Sequence, residues 1–172
     1  MANFSTTGSD TFPAGHVTNA FIFTDVDSGT VNLNGTTSIT MASKAFSFSC
    51  ISGRKYVISG SQTMSPYQLS GSTTDRRQNN YLYYGTTDRT FLDTTLDTQI
   101  FHGVLGRYLI AVSGAESPSY GDFSYEGNFT AGSTATHYFY TAISCPNSGT
   151  ARGRAYNSAS EPHNASVIEI MV

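Results

Sequence analysis

Hydrophobic and polar residues alternate along much of this chain with a period of two. Phe46, Phe48 and Cys50 share one parity, and Ser47 and Ser49 share the other. That alternation marks a strand with one buried face. Val31 and Leu33 alternate with Asn32 and Asn34 until Gly35 breaks the run. Tyr56-Val-Ile-Ser-Gly follows the turn Ser52-Gly-Arg, and Tyr81-Leu-Tyr-Tyr-Gly lies between two polar clusters. Ile100–Val112 is the longest apolar tract, with Gly103 and Gly106 inside it. These glycines predict a bulge or tight turn dividing two strands. Tyr120–Glu126, His137–Ile143 and Val167–Met171 complete the pattern. No window of 11 residues carries a helical period. Nine to eleven strands separated by Gly, Ser, Asn and Pro clusters predict an all-β sandwich or barrel.

The last segment, Ala165-Ser-Val-Ile-Glu-Ile-Met-Val, sharpens this picture. Ile168, Ile170 and Val172 fall on one face, and Val167, Glu169 and Met171 on the other. A segment so apolar on both faces is expected to be tied into a sheet or an interface, because free in water it would fray and aggregate. Ala2–Gly15, rich in Gly, Ser and Thr, reads as an arm or linker. The predicted organisation is an arm over residues 1–15 and one β-sandwich domain over residues 16–172.

Composition adds a surface to the strands. Charged residues are 12% of 172, about half the usual share, while Ser and Thr number 46. Eleven Phe and 11 Tyr supply core material, so hydroxyls rather than charges must coat the outside. The net charge is −3 and Lys44 and Lys55 are the only lysines, which argues against nucleic acid as a partner. No stretch approaches the roughly 18 apolar residues of a membrane span, so no membrane insertion is expected. The start, Met-Ala-Asn-Phe-Ser-Thr-Thr, has neither a basic nor an apolar signal region. Cys50 and Cys145 both sit in apolar strand-like segments. Without a secretory signal, buried thiols are the plainer reading and a disulfide the alternative.

Candidate chemistry is sparse. Asp25-Val-Asp27-Ser-Gly29 opens like a calcium loop, but its glycine comes one position early and Thr36 stands where a bidentate Glu belongs. An Asp-capped β-turn fits better. His16, His102, His137 and His163 have no partner at metal-ligand spacing. No nucleophile elbow, P-loop or His-Glu-x-x-His occurs. No catalytic residue, metal site or cofactor is assigned, and the chain is expected not to be an enzyme. Gly71-Ser-Thr-Thr-Asp-Arg is echoed by Gly85-Thr-Thr-Asp-Arg, a pattern suited to turns in which Asp accepts backbone bonds and Arg pairs with it. Two constellations suit a contact surface. Arg152, Arg154 and Tyr156 share the parity of an extended segment, and Tyr81, Tyr83 and Tyr84 have Arg76 and Arg77 nearby. Tyr and Arg offer contact area and hydrogen bonds at modest entropy cost. The competing readings are an exposed strand edge for the first and core tyrosines with hydroxyls at the rim for the second.

Three stretches carry a resemblance. Phe46-Ser-Phe-Ser-Cys-Ile-Ser-Gly-Arg-Lys-Tyr-Val-Ile, Gly106-Arg-Tyr-Leu-Ile-Ala-Val and Ala165-Ser-Val-Ile-Glu-Ile together resemble tailed-bacteriophage virion proteins with jelly-roll domains of the C1q/tumour-necrosis-factor class. The resemblance covers roughly residues 40–172 and lies in strands and turns. It implies a jelly-roll antiparallel β-sandwich assembled as a homotrimer. It also implies a place on the virion surface as a fibre tip, capsid fibre or decoration, made in the host cytoplasm. Expected partners are further copies of the chain, other virion proteins of capsid or tail, and host-surface glycans. The family shares no catalytic residues to carry over. Two rival readings remain: a carbohydrate-binding module or lectin, which the lack of Trp disfavours, and a small hydrolase on a β-scaffold.

Overall fold

The computed structural model describes residues 16–25, 31–34, 38–68, 76–108, 117–118, 121–145, 151–155 and 163–171. The alternating segments form eleven strands among them. These are β1 (Val17–Asp25), β2 (Val31–Asn34), β3 (Thr40–Cys50), β4 (Lys55–Gln68), β5 (Arg76–Gly85), β6 (Thr98–Tyr108), β7 (Ser117–Pro118), β8 (Gly121–Thr130), β9 (Ala135–Ser144), β10 (Ala151–Ala155) and β11 (His163–Ile170). No described residue is helical.

The antiparallel pairings are nested. β5 pairs β6 innermost, then β4 pairs β8, β3 pairs β9, and β1 pairs β11 outermost. The chain is thus one long ribbon doubled back at residues 86–97. The ribbon then rolls, so that β11 also pairs β4 and β9 also pairs β5. Two four-stranded sheets result, β1-β11-β4-β8 and β3-β9-β5-β6. Eight strands wrapped in this way make a jelly roll.

The other three strands prolong the eight. β7 follows β8 along β4 in unbroken register, Met64↔Gly121 leading to Tyr67↔Pro118. β2 and β10 carry the β1·β11 ladder onward, from Asp25↔His163 to Val31↔Ala155. β10 also succeeds β11 along β4. The 14-residue β4 is therefore the spine of the wider sheet.

The closing segment behaves as its alternation requires. β11 lies inside its sheet, between β1 and β4, with Val167 and Glu169 facing in and Ile168 and Ile170 facing out. The tract Ile100–Val112 differs from expectation. β6 runs unbroken through both glycines to Tyr108, and 109–112 lie outside the described residues. A register shift near Gly106 supplies the expected bulge. Gly103 sits in regular pairing, and its missing side chain makes room for the rings of Phe101 and Phe123. The arm over residues 1–15 and the turn at Asp27–Gly29 also lie outside the described residues.

Aromatic rings fill one half of the interior. Phe139 is wholly buried and stacks on Phe46 at 4.8 Å and Phe48 at 5.1 Å, while Phe129 reaches it from the opposite sheet at 5.6 Å. Phe21 and Phe23 of β1 close the stack against Phe48 and Phe46. Rings this large each take a large apolar area out of water.

Cys50 and Cys145 are both buried, and no disulfide joins them. Cys50 pairs with Ala135 at one end of β9, and Cys145 follows β9 at its other end. At about 3.3 Å per residue this places them some 30 Å apart, far beyond disulfide reach.

Candidate functional site

The tyrosine candidates do not share one surface. Leu82 and Tyr84 point into the sandwich, whereas Tyr81 and Tyr83 point out of β5 and are nonetheless buried, at 8% and 4% exposure. They form a second small core with Tyr140 and Ala142 of β9, edged by Ile39, Met41, Leu92 and Tyr138. The Tyr83 hydroxyl donates to Gln99 Oε1 at 3.1 Å, and burial raises its pKa. Arg152 and Arg154 lie on β10, between β2 and β4, and their shared parity survives in the ladder. Tyr156 lies outside the described residues, as do the side chains of Arg76 and Arg77.

The loop between β5 and β6, residues 86–97, reaches this cluster through Leu92, beside Ile39, Met41 and Tyr138. Its order follows from its Asp, Thr and Arg residues. Asp93 Oδ1 accepts from the Thr95 amide at 3.0 Å and from its hydroxyl at 2.6 Å, which holds the Asp93 pKa below its usual value. Asp97 Oδ2 accepts from the Asp93 amide, and the Asp97 amide donates to the Asp93 carbonyl. Arg89 sits between both carboxylates, 3.5 Å from Asp97 and 3.8 Å from Asp93. The Tyr140 hydroxyl donates to the Thr87 carbonyl at 2.7 Å and accepts from the Arg89 amide at 3.1 Å, pinning the loop to the sheet. Lys44 of β3 pairs with Asp88. The second copy of the Thr-Thr-Asp-Arg pattern lies in this loop but departs from the predicted pairing: Asp88 pairs with Lys44, Arg89 faces Asp97 and Asp93, and it is these two later carboxylates that accept backbone amides. The first copy lies mostly outside the described residues. The braced loop holds Phe91 and Leu96 in solvent, 63% and 66% exposed.

On the far side of the sandwich, the outer face of β1-β11-β4-β8 grades from polar to apolar. One row across the strands reads Thr24, Asn164, Ser61, Ser124, and another reads Ala20, Ile168, Val57, Asn128. The Ser59 and Ser166 hydroxyls lie 2.8 Å apart, and Thr24 donates to Asn164 Oδ1 at 3.1 Å. These groups satisfy one another within the sheet, so covering the face strands fewer of them. Ile22 stands out of this face at 87% exposure, with Val17 and Ile168 also exposed.

The ionisable groups of the interior are engaged in holding the fold. Glu169 Oε1 accepts from Thr18 and pairs with Arg54, tying both edges of β11 to the β3–β4 turn. The Tyr125 hydroxyl and His163 Nε2 are 2.6 Å apart inside the sandwich, and burial pushes the phenol pKa well up. Gly60 makes this contact fit, since any side chain there would overlap Tyr125 and the Asn164 carbonyl. His137 is buried against Tyr84 and Phe129. No group of three or more metal-ligating side chains occurs among the described residues.

The described residues thus form a jelly-roll β-sandwich that leaves Val17, Ile22 and Ile168 exposed on one sheet, Phe91 and Leu96 on the β5–β6 loop and Ile51 in the β3–β4 turn. No protein-family model matches its sequence, and no curated protein matches it. Among solved structures it is similar to infectious bursal disease virus, Gt strain, at 6% identity and a TM-score of 0.29, over 100% of this chain and 47% of that one. It is also similar to a mutant VP2 protein of that virus in T=1 particles, at 7% identity and a TM-score of 0.28, over 98% of this chain and 44% of that one. The VP2 subviral particle gives 7% identity and a TM-score of 0.27. The chain spans about half the length of these viral proteins.

Proposed function

We propose that this chain is a non-enzymatic structural protein of a virus particle. It sits on the surface of a tailed phage as a fibre tip, capsid fibre or decoration, and it assembles as a homotrimer. The observation that carries the proposal is the uncovered apolar strip of Ile22, Ile168 and Val17 on a rolled sheet whose closing strand is otherwise locked in place. Exposed apolar patches on a soluble fold mark contact sites. The interior supports the structural reading, because its carboxylates and histidines are hydrogen-bonded or stacked in the core. Other virion proteins are the further partners, and host-surface glycans the ligands of an attachment role. Nucleic acid binding and membrane insertion form no part of the reading.

Two measurements test it. Light scattering of the purified chain at micromolar concentration is expected to give three chain masses, and a monomer would contradict the trimer. Antibody labelling of intact particles is expected to decorate their surface. Unlabelled particles, with specific binding of the free domain on a glycan array, would favour a lectin instead.

A further inference from the structure

An open sheet edge presents unpaired N–H and C=O groups, and folded proteins usually guard it with bulges or charges. The two four-stranded sheets end on β1 and β8 and on β3 and β6. β3 shifts register at Met41/Ser43 and again at Lys44/Phe46, and its Lys44 pairs with Asp88. β6 shifts register twice along β5. β8 carries Asp122 and Glu126. β1 is different. After one shift between Val17 and Asn19 it runs in regular register along β11, and residues 20–24 hold no charge, proline or glycine. Among the described residues β1 pairs with β11 alone. The Ala20 amide donates to Asn19 Oδ1 at 3.0 Å instead of to β11. Backbone groups alternate sides along an antiparallel strand, so Ala20, Ile22 and Thr24 turn theirs to the open side. Side chains on both faces of β1 are short of cover too. Ile22 is 87% exposed on the outer face, and Phe21 and Phe23 of the inner face are only partly buried.

We infer that the open side of β1 takes an extended segment of another virion protein as an added strand. The inference rests on the reading of the chain as a virion structural protein, and it names the chemistry of one partner. Backbone donors and acceptors spaced along a strand are met by another strand, whose alternate side chains then set specificity. The segment is uncharged, because residues 20–24 offer no charge to pair with one. It is apolar where it meets Phe21 and Phe23, and it sets a β-branched or aromatic residue beside Ile22, the cross-strand pairs that sheets favour. A second copy is a poor source of this strand. Its β3 and β6 are bulged and its β8 is charged. Pairing β1 with β1 is a two-fold contact, which closes at two chains and not at three.

Amide hydrogen exchange, resolved by residue on the purified chain and on intact particles, tests the added strand. The Ile22 and Thr24 amides are expected to exchange freely in the purified chain and to slow by about tenfold or more in the particle. Phe21 and Phe23, bonded to β11, should be slow in both. If Ile22 and Thr24 stay fast in particles that contain the chain, the added strand is overturned and the virion reading stands. If they are slow already in the purified chain, the edge is closed without a partner and the inference is overturned as well. Particles that lack the chain overturn the virion reading itself. A pair of variants then separates backbone pairing from side-chain contact. Thr24→Pro removes one open-side amide and spares the β11 ladder, whereas Thr24→Val keeps the amide. Circular dichroism should report the native fold for both. Thr24→Pro is expected to lower incorporation into particles by about tenfold and Thr24→Val to leave it at the wild-type level. Equal incorporation of two folded variants overturns the backbone pairing, and the exchange measurement decides the matter without either variant.

Discussion

Truncating the centre of the ring stack gives a sharp test of the fold. Phe139 has no exposed surface and touches Phe46 and Phe48 of its own sheet and Phe129 of the other. Phe139→Ala removes the buried ring and leaves a void bounded by rigid aromatic walls, which relax poorly. The transfer and cavity terms together come to about 3–5 kcal/mol. Loss of stacking geometry at several ring pairs, each worth about 0.5–1.5 kcal/mol, places the value towards the upper end. A domain of this kind has about 5–15 kcal/mol in total, so a large fraction disappears. Urea unfolding at one fixed protein concentration is the assay, because self-association would add to apparent stability. Ser49→Ala, on the exposed outer face of β3, is the control and should stay within about 0.5 kcal/mol of wild type. A loss below about 1.5 kcal/mol for Phe139→Ala would refute the claim that the stack joins the two sheets.

Other outcomes follow from the same contacts. Gly60→Ala should lower stability by about 1–3 kcal/mol in urea, since the added methyl drives Tyr125 away from His163. Burial, with the Glu169 charge adding to it, pushes the Cys50 thiol up to about 12 from 9.0. A raised folded pKa favours the neutral thiol, so its contribution is complete below about pH 9 and is lost as pH rises from there through about 12. A thiol reagent at pH 8 should therefore label Cys50 only in denaturant, and burial alone should shield Cys145 in the folded chain. Asp97→Asn removes the charge that Arg89 faces and weakens the brace from the Asp93 amide. Limited proteolysis should then cut within 86–97 faster than in wild type, with a stability loss of about 1–2 kcal/mol.

Much of this architecture is legible in the residues, and the exceptions have physical causes. Phe46, Phe48 and Cys50 alternate cleanly because β3 has one buried face and one hydroxyl face. The final strand is equally clear. β1 is harder to read, since Phe21, Ile22 and Phe23 are consecutive apolar residues and Ile22, the outward one, breaks the alternation. That break was the available signal for an exposed apolar strip. The tyrosine cluster of β5 misleads as a surface because Tyr81 and Tyr83 face outward from the sheet, where water would be expected. Ile39, Met41, Tyr138 and Leu92 of the β5–β6 loop pack against their cluster, and such coverage depends on tertiary contacts that no periodicity encodes. Phe91 and Leu96 sit in the same loop, where isolated apolar residues among Thr and Asp leave no periodic trace.

The outermost rung of the roll joins Val17 to Ile170, two residues far apart in sequence. Neither β1 nor β4 can complete its ladder until β11 has been synthesised and has left the ribosome. High contact order of this kind slows folding and prolongs exposure of half-built sheets. Removing β11 should yield insoluble protein, because β1 and β4 would each lose a paired neighbour.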